Sequence, residues 1–251
     1  MSLAEHLVEL RNRLIVIAIA IVAGGIAAWF LSDWIWAALE GPILQVAQSQ
    51  SRNAQIVFPT VTGAFDLRFQ VAIYAGIILS SPVWLYEVFA YFVPALTRKE
   101  RWYAFSFLFS AVPLFLAGTV VGWWVLPHTV ALFTSFVPAG SASFLDATYY
   151  FQFVIKLMIA VGIAFVIPVF LVILNRMGLL SARAIINNWR IAAVIILVFT
   201  MLATPATDII TMFLLAVPMV VLYFLAWFVA FLHDRAAAKR QAVFDAEMSI
   251  Q

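Results

Sequence analysis

Two short segments concentrate acidic side chains where they could meet positively charged groups. The first reads HLVELRNRL and begins at His6. Glu9 lies four residues after Glu5, so a helix would place both carboxylates on one face. Arg11 and Arg13 follow closely, and the residues alone favour local ion pairs among these charges. The leucines of the segment recur at helical spacing, which predicts an amphipathic helix leading into the first apolar run.

The second segment, Ser81–Arg101, holds Glu87 and Glu100 among prolines and aromatic residues. Glu87 lies inside an apolar run, where a charged side chain is costly and often functional. It either faces a polar groove or is a locally paired carboxylate, and the sequence leaves both readings open. Glu100 stands in the charged stretch RKER, where Arg101 offers an ion-pair partner.

Other kinds of chemistry lack the residues that they need. The chain has no cysteine, and His6, His128 and His233 are far apart, so neither thiolate nor paired-histidine metal sites are predicted. Neither a glycine-rich phosphate loop nor a G-x-S-x-G motif is present. We therefore expect no enzymatic activity, no metal and no cofactor.

A set of membrane helices must position the two acidic segments. The 251 residues are 66% hydrophobic and only 10% charged, whereas soluble domains are about 45–50% apolar and about 25% charged. Most of the apolar runs approach the roughly 20 residues that a membrane span needs. The fifth run is short, with 13 residues, and the charge distribution described next favours counting it as a span. The six runs are Leu14–Leu31, Phe69–Val93, Trp102–Leu126, Phe151–Leu174, Ile191–Ala203 and Ile209–Leu232.

The basic residues predict the orientation. If all six runs span, 11 of the 14 Lys and Arg residues lie on the same side as the N-terminus, and only Arg52, Arg68 and Lys156 do not. Positive charge accumulates on the cytoplasmic side of membrane proteins, so both termini are predicted to be cytoplasmic. The acidic residues before the first run argue against a cleaved signal peptide. The longest external loops, 32–66 and 127–150, mix polar and aromatic residues, and we expect them to be structured.

Several residues inside the spans predict local geometry. Proline removes a helix hydrogen bond and tends to kink the chain, so the prolines inside four of the runs predict a curved bundle. Gly118 and Gly122 form a G-x-x-x-G pattern that favours close internal helix packing. Lys156 is expected to extend its amine to the interface, and Asp208 is expected to cap the sixth helix. The four prolines are Pro82, Pro113, Pro168 and Pro218.

Together the two acidic segments resemble the TatC family, the multi-spanning core of the twin-arginine protein translocase. The family pattern H-L-x-E-L-R-x-R-L matches from His6 to Leu14, and S-x-P-V-x-L-Y…P-A-L…E-R matches from Ser81 to Arg101. The resemblance continues through the NRMGLLS loop at Asn175–Ser181, Thr204-Pro205 and AVPM at Ala216–Met219. It implies one all-α domain over residues 1–251, with six spans, a proline-kinked curved bundle and short fifth and sixth helices.

The resemblance implies a function in protein export. TatC-like proteins receive folded cargo through a signal peptide with paired arginines, and their transport is driven by the proton-motive force without a nucleotide. The recognition site lies on the cytoplasmic face of the bacterial inner membrane, and it maps chiefly to Glu9, Arg11 and Glu100. Neighbouring positions that it includes are Leu10, Glu87, Tyr91 and Arg101.

The resemblance also implies single-span partners, TatA-like and TatB-like, at the fifth helix and the outer turn, where Met201, Thr204 and Asp208 occupy matching places. We further expect a homo-oligomer within a larger complex and no nucleic-acid partner. Departures from the family pattern remove polarity: Val166 replaces a usual glutamate and Trp102 replaces a common arginine. They leave open a divergent or engineered scaffold that keeps the fold without transport. A small-solute transporter is the remaining alternative, although polar residues at mid-depth are nearly absent.

Overall fold

Helices dominate the fold. The computed structural model describes residues 3–49, 54–58, 60–92, 98–135, 143–204 and 209–248. Two four-residue strands, β1 (Ala54–Val57) and β2 (Ser143–Asp146), pair in parallel with Ala54 opposite Ser143. The helices are α1 (Leu3–Phe30), α2 (Ser32–Ser49), α3 (Gly63–Leu79), α4 (Ser81–Phe92), α5 (Arg98–Ser135), α6 (Ala147–Arg176), α7 (Ala182–Asn187), α8 (Trp189–Ala203) and α9 (Ile209–Met248).

The prediction of an all-α membrane protein is confirmed, with the β1–β2 ladder as an addition in the described residues. By length and composition, α1, α5, α6 and α9 can each cross a membrane, and α3 with α4 forms one bent candidate. The apolar α8 has 15 residues, which corresponds to about 22 Å of helix. The four helices and the bent pair coincide with five of the predicted runs, and α8 coincides with the short fifth run. The count of six spans and the cytoplasmic position of the termini stay predictions.

The sixth helix is not short, which corrects one prediction. The helix α9 has 40 residues, because the sequence after its apolar run continues with alanine, lysine, arginine and glutamate, which are good helix formers. The amphipathic segment around Glu9 also differs from expectation, since it is not a separate helix. It forms the first turns of α1, which runs unbroken into the apolar residues.

The bend in the second span has a clear cause. The helices α3 and α4 meet at an angle of 59°, and the break falls at Ser80, whose backbone NH still donates to the Gly76 carbonyl at 2.8 Å. Pro82 is the second residue of α4, a position where its missing NH costs no hydrogen bond. Pro82 therefore starts a new helix, whereas Pro113, Pro168 and Pro218 lie inside continuous helices. The curvature of the bundle stays a prediction.

The chain divides into two compact units, residues Met1–Ile163 and Ala164–Gln251. In the first unit, glycines let helix backbones approach closely. A Cβ added to Gly24 would lie 2.7 Å from the Gly76 carbonyl oxygen, so α1 and α3 touch through their backbones. Likewise, a Cβ on Gly122 would lie 2.9 Å from the Cα of Met158. The internal packing predicted for the G-x-x-x-G pattern is confirmed at this glycine, between α5 and α6.

The described residues of the predicted external loops are structured, because they form α2 and both strands as well as the ends of α5 and α6. The Tyr150 hydroxyl donates to the Leu39 carbonyl at 3.3 Å, and the Trp123 ring NH donates to the Ala38 carbonyl at 3.1 Å. Both bonds end on backbone carbonyls of α2 and attach it to α5 and α6 within the first unit. The prediction of structured loops is therefore confirmed for the part of these loops that the structure describes.

In the second unit, Asp234 holds the loop after α6 and the start of α7. Its carboxylate accepts hydrogen bonds from the Ala182 backbone NH and the Asn175 side-chain amide, both at 2.8 Å. Gly178 turns this loop with a φ of 76°, a conformation that favours glycine. The Tyr223 hydroxyl donates to the Ile185 carbonyl at 2.6 Å and joins α9 to α7.

Candidate functional site

The start of α1 and the middle of α4 meet through three charged side chains. Arg13 Nη1 lies 2.7 Å from Glu87 Oε2, and Arg13 Nη2 lies 2.7 Å from Glu9 Oε1. Arg13 Nε also donates to Glu9 Oε1 at 3.0 Å. Glu9 and Arg13 share a helix face because they are four residues apart. Glu87 reaches Arg13 from α4, the helix that follows the 59° bend. We call Glu9, Arg13 and Glu87 the inner cluster.

The inner cluster carries more negative than positive charge. The three side chains are only 24% (Arg13), 22% (Glu9) and 15% (Glu87) exposed, so their interactions are screened less than those of surface charges. One guanidinium faces two carboxylates, which leaves a formal charge of minus one when both acids are ionised. Glu9 Oε2 is buried and has no hydrogen-bond partner among the described residues. The cluster therefore retains an acceptor for a further cationic donor.

An aromatic contact lies beside the inner cluster. The rings of His6 and Tyr91 are stacked, with centroids 4.7 Å apart and an angle of 21° between planes. His6 is on α1 and Tyr91 is on α4, so this contact joins the same two helices. Leu10, also on α1, is half-buried. The structure thus brings together four of the seven predicted recognition residues, namely Glu9, Leu10, Glu87 and Tyr91, on one pair of helices.

The remaining recognition residues are placed differently. Arg11 is exposed, and its guanidinium donates to Asn12 Oδ1 at 3.2 Å. Glu100 and Arg101 lie in the first turn of α5, where an acidic residue interacts favourably with the helix dipole. Their side chains and residues 93–97 lie outside the part of the chain that the structure describes. The approach of Glu100 to the inner cluster therefore stays a prediction.

The residues expected to contact single-span partners lie at the end of α8. Met201 is 57% exposed, whereas Thr204 is buried and donates from its hydroxyl to the Thr200 carbonyl at 2.9 Å. Thr204 thus helps to end α8, and Asp208 lies outside the described residues. Much of α8 presents apolar side chains outward, including Val194, Val198 and Leu202.

Three further sequence features have a clear placement. Val166, at the position where the TatC pattern usually has a glutamate, is buried at 3% exposure. Lys156 is exposed, in keeping with the expected extension of its amine. No group of three or more metal-ligating side chains occurs among the described residues.

The ion pair between Arg13 and Glu87 was not predicted. The sequence favoured pairing of Arg13 with acids of its own segment, because 74 residues separate Arg13 from Glu87. A signal was present, since a carboxylate inside an apolar run needs a cation or a polar groove. Arg13 stands at the edge of another run, on the same predicted side of the membrane.

Comparison with known proteins identifies relatives over nearly the whole chain. A family model described as "Sec-independent protein translocase protein (TatC)" matches residues 5–218. A protein of that name from Xylanimonas cellulosilytica is 42% identical over 242 residues, which cover 96% of this chain and 88% of the relative. A chloroplastic relative from Arabidopsis thaliana is 33% identical over 224 residues, which cover 89% of this chain and 64% of that protein.

Two crystal structures share the fold. Both are described as the twin arginine translocase receptor TatC, one of them in the detergent DDM, and both are 27% identical to this chain. The superpositions have TM-scores of 0.72 and 0.77 and cover 90% of this chain, with 98% and 99% of the respective solved chains.

Proposed function

The chain belongs to the TatC family, and from that premise we propose that it is the signal-peptide receptor of a Sec-independent protein translocase. It is a multi-pass protein of the bacterial cytoplasmic membrane and a subunit of a machine that exports folded proteins. It receives twin-arginine signal peptides on its cytoplasmic face, and the proton-motive force drives transport. The protein itself is not an enzyme in this proposal.

The observation that carries the receptor role is the composition of the inner cluster. Two partly buried carboxylates share one guanidinium, and Glu9 Oε2 has no hydrogen-bond partner among the described residues. Carboxylate and guanidinium form strong, directional pairs, so a second guanidinium would complete what Arg13 leaves unpaired. A peptide with adjacent arginines supplies such a group.

The second arginine of the signal peptide needs a second acid. We assign that role to Glu100, as the family resemblance implies, because it lies in the first turn of α5, soon after α4. Leu10 and Tyr91 would contact the apolar part of the peptide, and Arg11 and Arg101 would belong to the same recognition site. TatA-like and TatB-like partners would pack on the outward apolar side chains of α8 near Met201, with Asp208 at the outer turn.

Site-specific photocrosslinking tests the receptor role. A photoreactive phenylalanine analogue is placed at Val8, which is 48% exposed next to Glu9, or at Trp102, two residues after Glu100, so that both acids are kept. The full-length protein is used in membrane vesicles, and a labelled precursor is added. We expect adducts with a twin-arginine precursor and none with its twin-lysine counterpart. The analogue at Ile19, which is 63% exposed on the same helix, is the control. Equal adducts with both precursors, or none from either position, would contradict the proposal.

A second candidate, a scaffold without transport, is favoured by one observation. Val166 is apolar and buried, whereas the family pattern usually has a glutamate there. Expression in a TatC-deficient strain separates the two candidates, because a working translocase restores export of a twin-arginine reporter. If export fails and Val166→Glu restores it, the missing carboxylate accounts for the loss of transport.

A further inference from the structure

An apolar groove lies between α1 and α3 in the first unit. It has a volume of about 650 Å³, within the roughly 300–1,000 Å³ that is usual for small-molecule sites. Its floor forms where the two helices touch, because a Cβ on Gly25 would lie 3.5 Å from the Ala72 carbonyl oxygen. The rims carry Val22 and Ile26 from α1, and Phe65 and Phe69 from α3, all more than half exposed.

The length of the groove along α1 matches the thickness of the hydrocarbon layer of one lipid leaflet. On α1 its lining extends from Ile21 to Phe30, which corresponds to about 14 Å of helix at about 1.5 Å per residue. Half of a typical hydrocarbon core of about 30 Å is about 15 Å. The deep end lies near Ile21 and Ile73, and the mouth lies at Phe30 and Phe65. The mouth is on the side predicted to face away from the cytoplasm.

A cation stands at the mouth of this groove. The Arg68 guanidinium carbon lies 5.3 Å from the centroid of the Trp29 ring, and Trp29 lines the groove. Arg68 Nε donates to Ser32 Oγ at 2.8 Å, and Arg68 Nη2 lies 3.1 Å from Asp33 Oδ1. These contacts hold the guanidinium in place while its side chain remains 41% exposed.

The anion beside this cation is more exposed still. The Asp33 side chain is 89% exposed, so the mouth presents one positive and one negative group side by side. A phosphate would be attracted by Arg68 and repelled by Asp33. A positive group on the same ligand would offset the repulsion by pairing with Asp33. A phosphodiester linked to an ammonium carries one negative and one positive group, which complement Arg68 and Asp33. An acyl chain on the same molecule would match the apolar groove.

We propose that the α1–α3 groove binds a zwitterionic phospholipid of the outer leaflet, with an acyl chain between the helices, the phosphate on Arg68 and the headgroup ammonium on Asp33. Arginine pairs well with phosphate through its planar donors. A bound lipid of this kind would fill the space between the two helices and shield the apolar side chains on its rims.

Native mass spectrometry of the full-length protein in detergent tests this site. Phosphatidylethanolamine or phosphatidylglycerol is added, and the fraction of protein that retains one lipid after collisional activation is measured. We expect one retained phosphatidylethanolamine and weaker retention of phosphatidylglycerol. Arg68→Gln is expected to weaken retention about tenfold or more, because hydrogen bonds to charged groups are strong. The matched control is Arg190→Gln, since Arg190 also stacks on a tryptophan, Trp189, at 5.7 Å.

Two further variants separate the headgroup from the acyl chain. Asp33→Asn should remove the preference for phosphatidylethanolamine over phosphatidylglycerol while retention persists. Val22→Trp should fill the groove and abolish retention, whereas Ile19→Trp, exposed on the same helix outside the groove lining, should not. Val22 is 62% exposed, so its variant tests the site without altering a packed residue. Equal retention of both lipids by the unaltered protein, or equal retention by the Arg68→Gln and Arg190→Gln variants, would overturn the proposal.

Discussion

The first unit has a charged arrangement at each end of the α1–α3–α4 group, and the two differ in balance and burial. The inner cluster pairs one arginine with two glutamates at 15–24% exposure. The outer pair of Arg68 and Asp33 is balanced and 41% and 89% exposed. Exposed ion pairs contribute little to stability, whereas partly buried charges that lack compensation interact strongly with a new partner. In the two proposals above, the same residue types therefore serve an arginine peptide at one end and a lipid headgroup at the other.

The largest expected effect comes from removing the shared cation of the inner cluster. Arg13→Gln leaves Glu9 and Glu87 facing each other without compensation, and we expect a loss of about 2 kcal/mol in the free energy of unfolding. Unfolding by SDS in mixed micelles measures this change. Adding Glu87→Gln to the variant should recover most of the loss, because the pair is coupled. If Arg13→Gln is as stable as the unaltered protein, the inner cluster contributes no more to stability than the exposed pair of Arg68 and Asp33.

The helix contact between the two ends provides the next test. Gly76→Ala would place a Cβ 2.5 Å from the Gly25 backbone nitrogen, and overpacking of this kind costs about 1–3 kcal/mol. We expect α1 and α3 to separate and both charged arrangements to loosen. Gly41→Ala is the matched control, because a Cβ there meets no atom within 4 Å and alanine favours a helix. The same unfolding measurement applies, and equal stability of the two variants would contradict the close contact.

The acid with the unpaired oxygen should matter most for the peptide. Glu9→Gln should weaken binding of a twin-arginine signal peptide by about tenfold or more, since a charge-assisted bond is lost. Fluorescence anisotropy of a labelled signal peptide measures the affinity. Glu40→Gln is the control, because Glu40 accepts a bond from Trp36 on α2 at 2.6 Å, away from the inner cluster. Unchanged affinity in Glu9→Gln would remove the inner cluster from the receptor site.

The smallest effect is expected at the outer pair. Asp33→Asn should change the free energy of unfolding by less than about 1 kcal/mol, because exposed ion pairs are screened by water and salt. The same SDS titration that measures Arg13→Gln would detect the contrast. A loss as large as that of Arg13→Gln would show that the outer pair stabilises the fold instead of remaining available for a ligand.

Much of the fold was predictable because the membrane imposes simple length and polarity rules. The apolar runs located the four long helices and the bent α3–α4 pair, since about 20 apolar residues are needed to cross the hydrocarbon core. The run that forms the short α8 was counted as a span only from the charge distribution. The bend between α3 and α4 was less accessible. Pro82 predicted a kink, but whether a proline bends a helix or starts a new one depends on the residues before it. The length of α9 was missed because its polar half extends beyond the apolar run.

The candidate site was predictable in part. The spacing of Glu9 and Arg13 predicts a local pair, because residues four apart meet on a helix. No periodicity links Arg13 to Glu87, since their contact depends on the approach of two helices. The groove beneath Arg68 had no sequence signal, because it depends on the distance between α1 and α3 and not on either helix alone.

The sequence by itself determined that the protein crosses a membrane, which side its basic residues favour and which family its motifs resemble. Those properties follow from composition and from short local patterns, which act within one segment. Only the tertiary structure decided which charges share a partner and which remain available. The contact of Gly24 and Gly25 with Gly76 holds α1 against α3. The packing of α1 against its neighbours also brings Arg13 to Glu87 on α4, a pairing that neither segment encodes alone.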